Sequence, residues 1–242
     1  DSSIAVGMEL VKQGKASAFV SAGNSGAIMA SALLTLGRQE GIERPALGTV
    51  FNSSSHPVLL LDVGANPDCK PAFLAQFARL GSEYMERTFD LTRPRVGLLN
   101  IGEEEGKGSQ LTREAYGLLK ESGLNFVGNV EGKDIPKGLA EVVVTDGFTG
   151  NVILKLSEGL GEQLFDWLGK AFMKKLRFRL AALLLGDALR DVAKRLDYTQ
   201  YGGALLLGVK GTVIICHGRS NATAIKNALR LAHRAAQGAI PS

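Results

Sequence analysis

The stretch Val58-Leu-Leu-Leu-Asp-Val-Gly-Ala-Asn66, followed by a helical pattern over 71–87, decides the fold. Residues 58–63 are apolar apart from Asp62, which fits a strand buried on both faces. The chain then turns through Asp62-Val-Gly-Ala-Asn66 instead of an ordinary turn sequence. Four more strand-to-helix junctions carry the same mixture of glycine, asparagine and hydroxyl residues: Ser21-Ala-Gly-Asn-Ser-Gly26, Asn100-Ile-Gly102, Asp146-Gly-Phe-Thr-Gly-Asn151 and His217-Gly-Arg-Ser-Asn221. Each leaves a short apolar run and enters a helical pattern, so free backbone N–H groups of several helix N-termini are expected to converge on one crevice. Such a crevice suits an anion.

Working outward, apolar runs at 18–20, 96–100, 125–127, 142–145 and 212–216 read as further buried strands. Helical patterns lie at 26–36, 110–121, 152–175 and 222–236, and Asp1-Ser-Ser caps another that starts at Ile4. The alternation predicts an α/β fold of three layers, a mostly parallel sheet with helices on both faces, built as a single interleaved domain over 1–242. Ligands are then expected beyond the C-terminal ends of the strands. The irregular region is 169–203, and its segment 170–200 reads as a protruding, basic, amphipathic helical hairpin broken at Gly186.

A chain of 242 residues, 45% hydrophobic and 21% charged, is large enough for a sizeable core and unlike a disordered chain. Its net charge is +4, yet residues 170–195 alone carry eight Lys/Arg against two Asp, a local +6 that leaves the remainder at −2. Basic charge gathered in one stretch points to an acidic partner or anionic headgroups rather than to nucleic acid, and 6% aromatic content argues against base stacking. Cys69 and Cys216 have neither C-x-x-C spacing nor the numbers for a disulfide framework, which suits a reducing cytoplasm. Leu180 to Leu185 is too short to cross a bilayer.

His217-Gly-Arg-Ser-Asn221 is the strongest anion candidate, because Arg219 offers a forked guanidinium where Ser220 and Asn221 open the last helix. His217 is open to either a structural or a catalytic reading. Asp146, Thr149, Asn151 and Lys155 bring a carboxylate, a hydroxyl, an amide and an ammonium to one helix start, although Thr149 is equally a routine cap. Around Asn24, Ser25 and Gly26 the glycines admit a close ligand or simply a tight turn. Glu103-Glu-Glu105 reads as surface charge entering a helix, not as a metal site. Gly102-Glu-Glu-Glu-Gly-Lys-Gly108 lacks the spacing and the hydroxyl of a P-loop, and no G-x-G-x-x-G follows a strand. Cys216 and His217 are strand neighbours and point to opposite faces, so Cys216 reads as a buried thiol. Cys69 lies nearer a plausible site mouth.

Leu61-Asp-Val-Gly-Ala-Asn66 with Asp68-Cys-Lys-Pro71, Gly97-Leu-Leu-Asn-Ile-Gly-Glu-Glu-Glu105, Gly128-Asn-Val-Glu-Gly-Lys-Asp134, Asp146-Gly-Phe-Thr-Gly-Asn151, Tyr201-Gly-Gly-Ala-Leu-Leu-Leu-Gly-Val-Lys-Gly211 and His217-Gly-Arg-Ser-Asn221 together closely resemble the PlsX family of bacterial phosphate acyltransferases. The resemblance implies transfer of a fatty acyl group from acyl-acyl carrier protein to inorganic phosphate, giving acyl phosphate for phospholipid synthesis without a cofactor or metal. It also implies a fold like that of isocitrate and isopropylmalate dehydrogenases and, more distantly, kinship with phosphotransacetylases. Family members begin with a further strand and a glycine-rich, Asp-containing loop, to which nothing in this sequence corresponds.

On that resemblance Thr149, Asn151, Arg219, Ser220 and Asn221 hold phosphate. Asn24, Ser25, Gly26, Asn66 and Asn100 serve the oxyanion or acyl group. Asp146, Lys155 or His217 handles the proton, in no ranked order. Lys174, Lys175, Arg177 and Arg179 steer the acidic carrier protein, while Leu183, Leu184 and Leu185 dip into an anionic membrane surface; a homodimer contact is the alternative use of the same segment. The expected location is the cytoplasm, peripheral to the inner face of the membrane. Two rivals stand beside this reading: a non-catalytic carrier-protein or membrane-docking module, and an NAD-dependent dehydrogenase of the related fold.

Overall fold

A computed structural model of the chain describes residues 2–196 and 202–239. Eight strands, β1 (Ala18–Ser21), β2 (Ala46–Asn52), β3 (Pro57–Leu61), β4 (Val96–Leu99), β5 (Phe126–Val130), β6 (Val142–Val144), β7 (Ala204–Leu207) and β8 (Thr212–Ile215), form one sheet in the order β1-β8-β7-β2-β3-β6-β4-β5. The helices are α1 (Ser3–Lys12), α2 (Ser25–Thr35), α3 (Pro71–Phe89), α4 (Gln110–Lys120), α5 (Gly147–Met173), α6 (Leu176–Leu184), α7 (Gly186–Leu196) and α8 (Ala222–Arg234).

Alternation along β3 explains the layering. Leu59 and Leu61 face a core shared with Phe77 and Met85 of α3, Leu119 of α4 and Ala228 and Leu231 of α8. Leu60 faces the other way, into a core with Met8 of α1, Ile28 and Ala32 of α2 and Leu154 of α5. Side chains two residues apart share a face, so a strand apolar at every position needs helices on both sides. Each such side chain contributes about 1.5–3 kcal/mol by leaving water.

The sheet is not uniformly parallel. β1 pairs parallel with β8, and β3, β6, β4 and β5 pair parallel with one another. Between these blocks β7 and β2 are antiparallel to each other and to their outer neighbours β8 and β3. Three successive reversals leave the two parallel blocks running in opposite directions. The expectation that every junction falls along one sheet edge is thereby corrected. The β1–α2 and β8–α8 junctions lie at one edge, and the β3–α3, β4–α4 and β6–α5 junctions at the other.

Several local expectations also change. Strands β2 and β7 were not foreseen. Helix α5 starts at Gly147 instead of 152, because Asp146 caps it. Glu103, Glu104 and Glu105 sit in the turn region before α4, which Ser109 caps at Gln110, so they do not enter that helix. Of the expected hairpin, α6 and α7 are present and separate at Leu185. Its end, 197–200, lies outside the described residues, as does Tyr201.

Candidate functional site

Junctions from opposite sheet edges meet on one face of the sheet, above the two antiparallel strands. There a cleft of about 280 Å³ has Leu47 and Thr49 of β2 and Ala204 of β7 in its floor. Gly23, Ser25, His217 and Ser220 reach it from one edge, and Val63 and Gly64 from the other. Its wall is α5, whose Asn151, Leu154, Lys155 and Glu158 recur at three- and four-residue spacing and so share one helical stripe. The antiparallel pair is what allows convergence: it brings two opposed C-terminal edges within reach of the same few residues.

A buried carboxylate shapes the Val63–Gly64 side. Asp62 is fully buried and accepts hydrogen bonds from the backbone N–H of Leu47 (3.0 Å), Gly64 (3.1 Å), Ala65 (3.0 Å) and Asn66 (2.7 Å), and from Asn66 Nδ2 (2.9 Å). Four amides and an Asn side chain on one carboxylate fix the turn and tie it to the start of β2. Helix α5 then packs directly on that turn: the Gly147 N–H donates to Asn66 O at 2.8 Å, and Asn151 Nδ2 donates to Val63 O at 3.0 Å. Glycine is required here, since a Cβ on Gly147 would lie 2.8 Å from the Asn66 backbone and one on Gly150 would collide with the Asp62 carbonyl oxygen.

Five of the expected residues, Ser25, Asn151, Lys155, His217 and Ser220, line the cleft together. Lys155 Nζ lies 2.8 Å from Glu158 Oε2. The Arg219 N–H donates to His217 Nδ1 at 3.2 Å, which places the ring proton of a neutral His217 on Nε2.

The other expected residues are occupied locally. Asn24 and Asn221 cap α2 and α8 by accepting from the N–H of Ala27 (3.0 Å) and Ala224 (2.9 Å). Asp146 accepts from the Thr149 N–H at 2.8 Å and from Thr149 Oγ1 at 2.7 Å, so both its oxygens serve the α5 cap. Gly26 lies in the first turn of α2, with its Cβ position 3.3 Å from Asn24 Oδ1. Asn66 Nδ2 also donates to Pro45 O at 2.8 Å, and Asn100 closes the 101–108 loop by donating to Lys107 O at 3.0 Å. Arg219 departs from the expected inward cradle, because its Nη2 lies 2.8 Å from Glu162 Oε1 with the two side chains 54% and 53% exposed. Lys174, Lys175, Arg177, Arg179, Leu183, Leu184 and Leu185 are all exposed and outside the cleft.

Two functional candidates, Asp62 and Glu158, escaped the sequence reading. A signal for Glu158 existed in the polar series Asn151, Lys155, Glu158 on one helical stripe.

Cys216 is buried, and burial raises its thiol pKa. Cys69 is pushed up to about 12, first by burial and then by the charge of Asp62. Neither thiol is a ready nucleophile. Among the described residues no group of three or more His, Cys, Asp and Glu is placed to hold a metal ion, and no helix is long and apolar enough to cross a membrane.

The architecture is that of the phosphotransacetylases. A phosphotransacetylase from Streptococcus pyogenes superposes with a TM-score of 0.66 at 19% identity, over 98% of this chain and 67% of that one. The EutD phosphotransacetylase of Staphylococcus aureus gives 0.63 at 19%, with the same two coverages. At the level of sequence the model of the family "Fatty acid synthesis protein" matches residues 1–242. A phosphate acyltransferase of Dictyoglomus turgidum is 54% identical over 236 residues, which are 97% of this chain and 70% of the relative. One from Heliobacterium modesticaldum is 54% identical over 237 residues, 98% and 71% respectively. The chain belongs to this family, the PlsX-type phosphate acyltransferases.

Proposed function

We propose that the cleft over β2 and β7 carries out acyl transfer from the thioester of acyl-acyl carrier protein to inorganic phosphate. A phosphate oxygen bonds to the acyl carbon, the C–S bond breaks, and the proton that phosphate brings ends on the carrier sulfur, so that acyl phosphate and free thiol leave. Nothing is oxidised and no external energy source enters. The observation that carries this reading is the meeting of Ser25, Asn151, Lys155, His217 and Ser220 in one cleft.

In this scheme Lys155, Asn151 and Ser220 hold phosphate, with Thr149 and Asn221 acting through the helix ends they help build. Arg219 stands at the rim, where it can exchange Glu162 for a phosphate oxygen. Ser25 and the glycine-bordered N-terminus of α2, from Asn24 to Gly26, receive the oxyanion. Asn66 and Asn100 act by setting loop shape. Lys155 or His217, both lining the cleft, handles the proton in this scheme; Asp146, with both oxygens on Thr149, acts on the α5 N-terminus instead. Holding the two reactants together is the main catalytic device.

We also infer the finer organisation: an isocitrate/isopropylmalate-dehydrogenase-like single domain, with α6 and α7 as a hairpin. An exposed stripe of Phe148, Val152, Leu156, Leu160, Leu164 and Trp167 along α5 supports a homodimer. Leu183, Leu184 and Leu185, bordered by Lys174, Lys175, Arg177 and Arg179, support peripheral contact with an anionic membrane face from the cytoplasm, while the same cations suit an acidic carrier protein.

Incubation of acylated carrier protein with and without phosphate tests the reaction. Phosphate-dependent release of carrier thiol, with acyl phosphate trapped by hydroxylamine, is expected, and Lys155→Met should slow it steeply. No release beyond that seen without the chain would favour a docking module over an enzyme, and release independent of phosphate would mean transfer of the acyl group to water instead. A nicotinamide fluorescence change on titration with the chain would revive the dehydrogenase rival.

A further inference from the structure

Among the described residues that line the cleft, Glu158 is the only carboxylate and Lys155 the only ammonium or guanidinium. The Glu158 side chain is 6% exposed against 47% for Lys155, so the acid, not the base, is the deep member of the pair. Its Oε2 is taken by Lys155 at 2.8 Å, and no donor to Oε1 is present among the described residues. One helical turn further along α5, Glu162 meets Arg219 of the β8–α8 junction. Glu158 thus shares the cleft with His217 and Ser220, one turn of α5 before the residue that reaches their junction.

A buried carboxylate is a poor neighbour for an anion unless the anion brings a proton to share. Lys155 offsets the charge of Glu158 but donates nothing to Oε1. Near neutral pH inorganic phosphate keeps a P–O–H group, and so does arsenate in its As–O–H; sulfate is fully deprotonated. An O–H facing a carboxylate oxygen forms a charge-assisted hydrogen bond, whereas a bare S–O⁻ there meets only repulsion.

We propose that Glu158 is the residue that sets oxyanion specificity: through Oε1 it accepts the hydroxyl of phosphate, and by the same charge it turns sulfate away. The inference rests on phosphate being the acceptor in this cleft. It assigns to an acidic residue the choice between two tetrahedral oxyanions of similar size, which cations and backbone amides alone do not make.

The test uses the full chain with acylated carrier protein and reads the KM for phosphate and the competitive Ki for sulfate. In the wild type the sulfate Ki should exceed the phosphate KM at least tenfold, and arsenate should support thiol release. In Glu158→Gln, whose amide can donate to sulfate, the ratio of sulfate Ki to phosphate KM should fall about 10- to 100-fold, the scale of a hydrogen bond to a charged group. A residue that only holds Lys155 in place would lower turnover with phosphate and arsenate alike and leave that ratio unchanged, which overturns the proposal. Sulfate that competes with the wild type as well as phosphate binds overturns it without recourse to any variant. Absence of phosphate-dependent release in the wild type instead removes the acyl-transfer reading itself, and the two failures are thus distinguishable.

Discussion

Arg219 Nη2 lies 2.8 Å from Glu162 Oε1, and this contact joins the β8–α8 junction to the wall helix α5 just beyond the cleft. Both partners are about half exposed, at 54% and 53%, so the pair is screened and worth only about 0.2–1 kcal/mol. A guanidinium held that weakly is available to an arriving anion. Glu162→Ala should therefore lower the KM for phosphate by a small factor, about two- to fivefold from that energy. Arg219→Ala should raise it. A KM unchanged in both variants would show that the guanidinium never turns from Glu162 to phosphate.

Lys155 is the cation inside the cleft itself, 2.8 Å from Glu158. Removing a preorganised charged donor from a site of developing negative charge costs about 100- to 1000-fold in turnover. Lys155→Met should lose about that much in kcat/KM for phosphate while its melting temperature stays near the wild-type value. The measurement is carrier-thiol release under saturating acylated carrier protein. Retention of more than a tenth of the activity, on the scale of one such donor, would move the catalytic burden elsewhere.

The parallel blocks were legible in the sequence because Val58 to Leu61 and Val142 to Val144 are continuous apolar runs with a polar junction behind them. The strands that reverse the sheet were not. In Ala46–Asn52 the apolar signal is broken by Gly48, yet that glycine is needed where Leu59 and Leu61 press, since a Cβ there would come within 2.9 Å of Leu61 Cδ1. Ala204–Leu207 follows directly on the irregular 169–203 region and its Gly202-Gly203 pair, which masks where the strand begins. The junction residues were recognised, but a sequence does not show which edge each occupies. The inward group on the final junction is consequently Ser220 rather than Arg219. Glu158 was missed because an acid in mid-helix ordinarily faces water; only the path of α5 across the sheet face buries it.

Asp62 gathers four backbone N–H groups and the Asn66 amide with no cation among those partners. Asp62→Ala would remove the acceptor from all of them, leaving those of Leu47 and Asn66 in a buried site, where each unsatisfied donor costs about 1–3 kcal/mol. Part of that is recovered by relaxation and water, so a net loss of about 3 kcal/mol or more is expected from urea unfolding. Asp62→Asn keeps one acceptor oxygen and should lose less. Equal stability of Asp62→Ala and wild type would mean that the turn does not depend on this carboxylate.

At the opposite side of β6, Glu141 accepts from the Arg95 backbone N–H (2.6 Å) and from its Nη2 (2.7 Å), with His56 Nε2 at 3.2 Å. Burial alone would raise the Glu141 carboxyl, but the hydrogen bonds and charge of Arg95 outweigh it and hold the pKa below the usual carboxylate value. A carboxyl whose folded pKa is depressed contributes stability above its unfolded pKa and loses it as pH falls through the folded one. Melting temperature should therefore decline as pH drops below about 4.5, and the decline should be shallower in Arg95→Met. Parallel pH profiles for the two proteins would remove Glu141 from the acid sensitivity.

Leu183, Leu184 and Leu185 are 79%, 88% and 49% exposed at the end of α6, while Lys174, Lys175, Arg177 and Arg179 surround its start. Three adjacent leucines cannot all lie on one side of a helix, which distinguishes them from Phe148, Val152, Leu156, Leu160 and Leu164, a stripe at four-residue spacing on α5. A stripe suits a partner helix; a tip apolar on several sides suits insertion among lipid chains. Replacing the three leucines by serine should reduce sedimentation with anionic vesicles, whereas thiol release from soluble carrier protein and the sedimentation-equilibrium mass should stay as in the wild type. A fall in mass would reassign the tip to the subunit contact, and undiminished vesicle binding would show that the membrane is held by the cations alone.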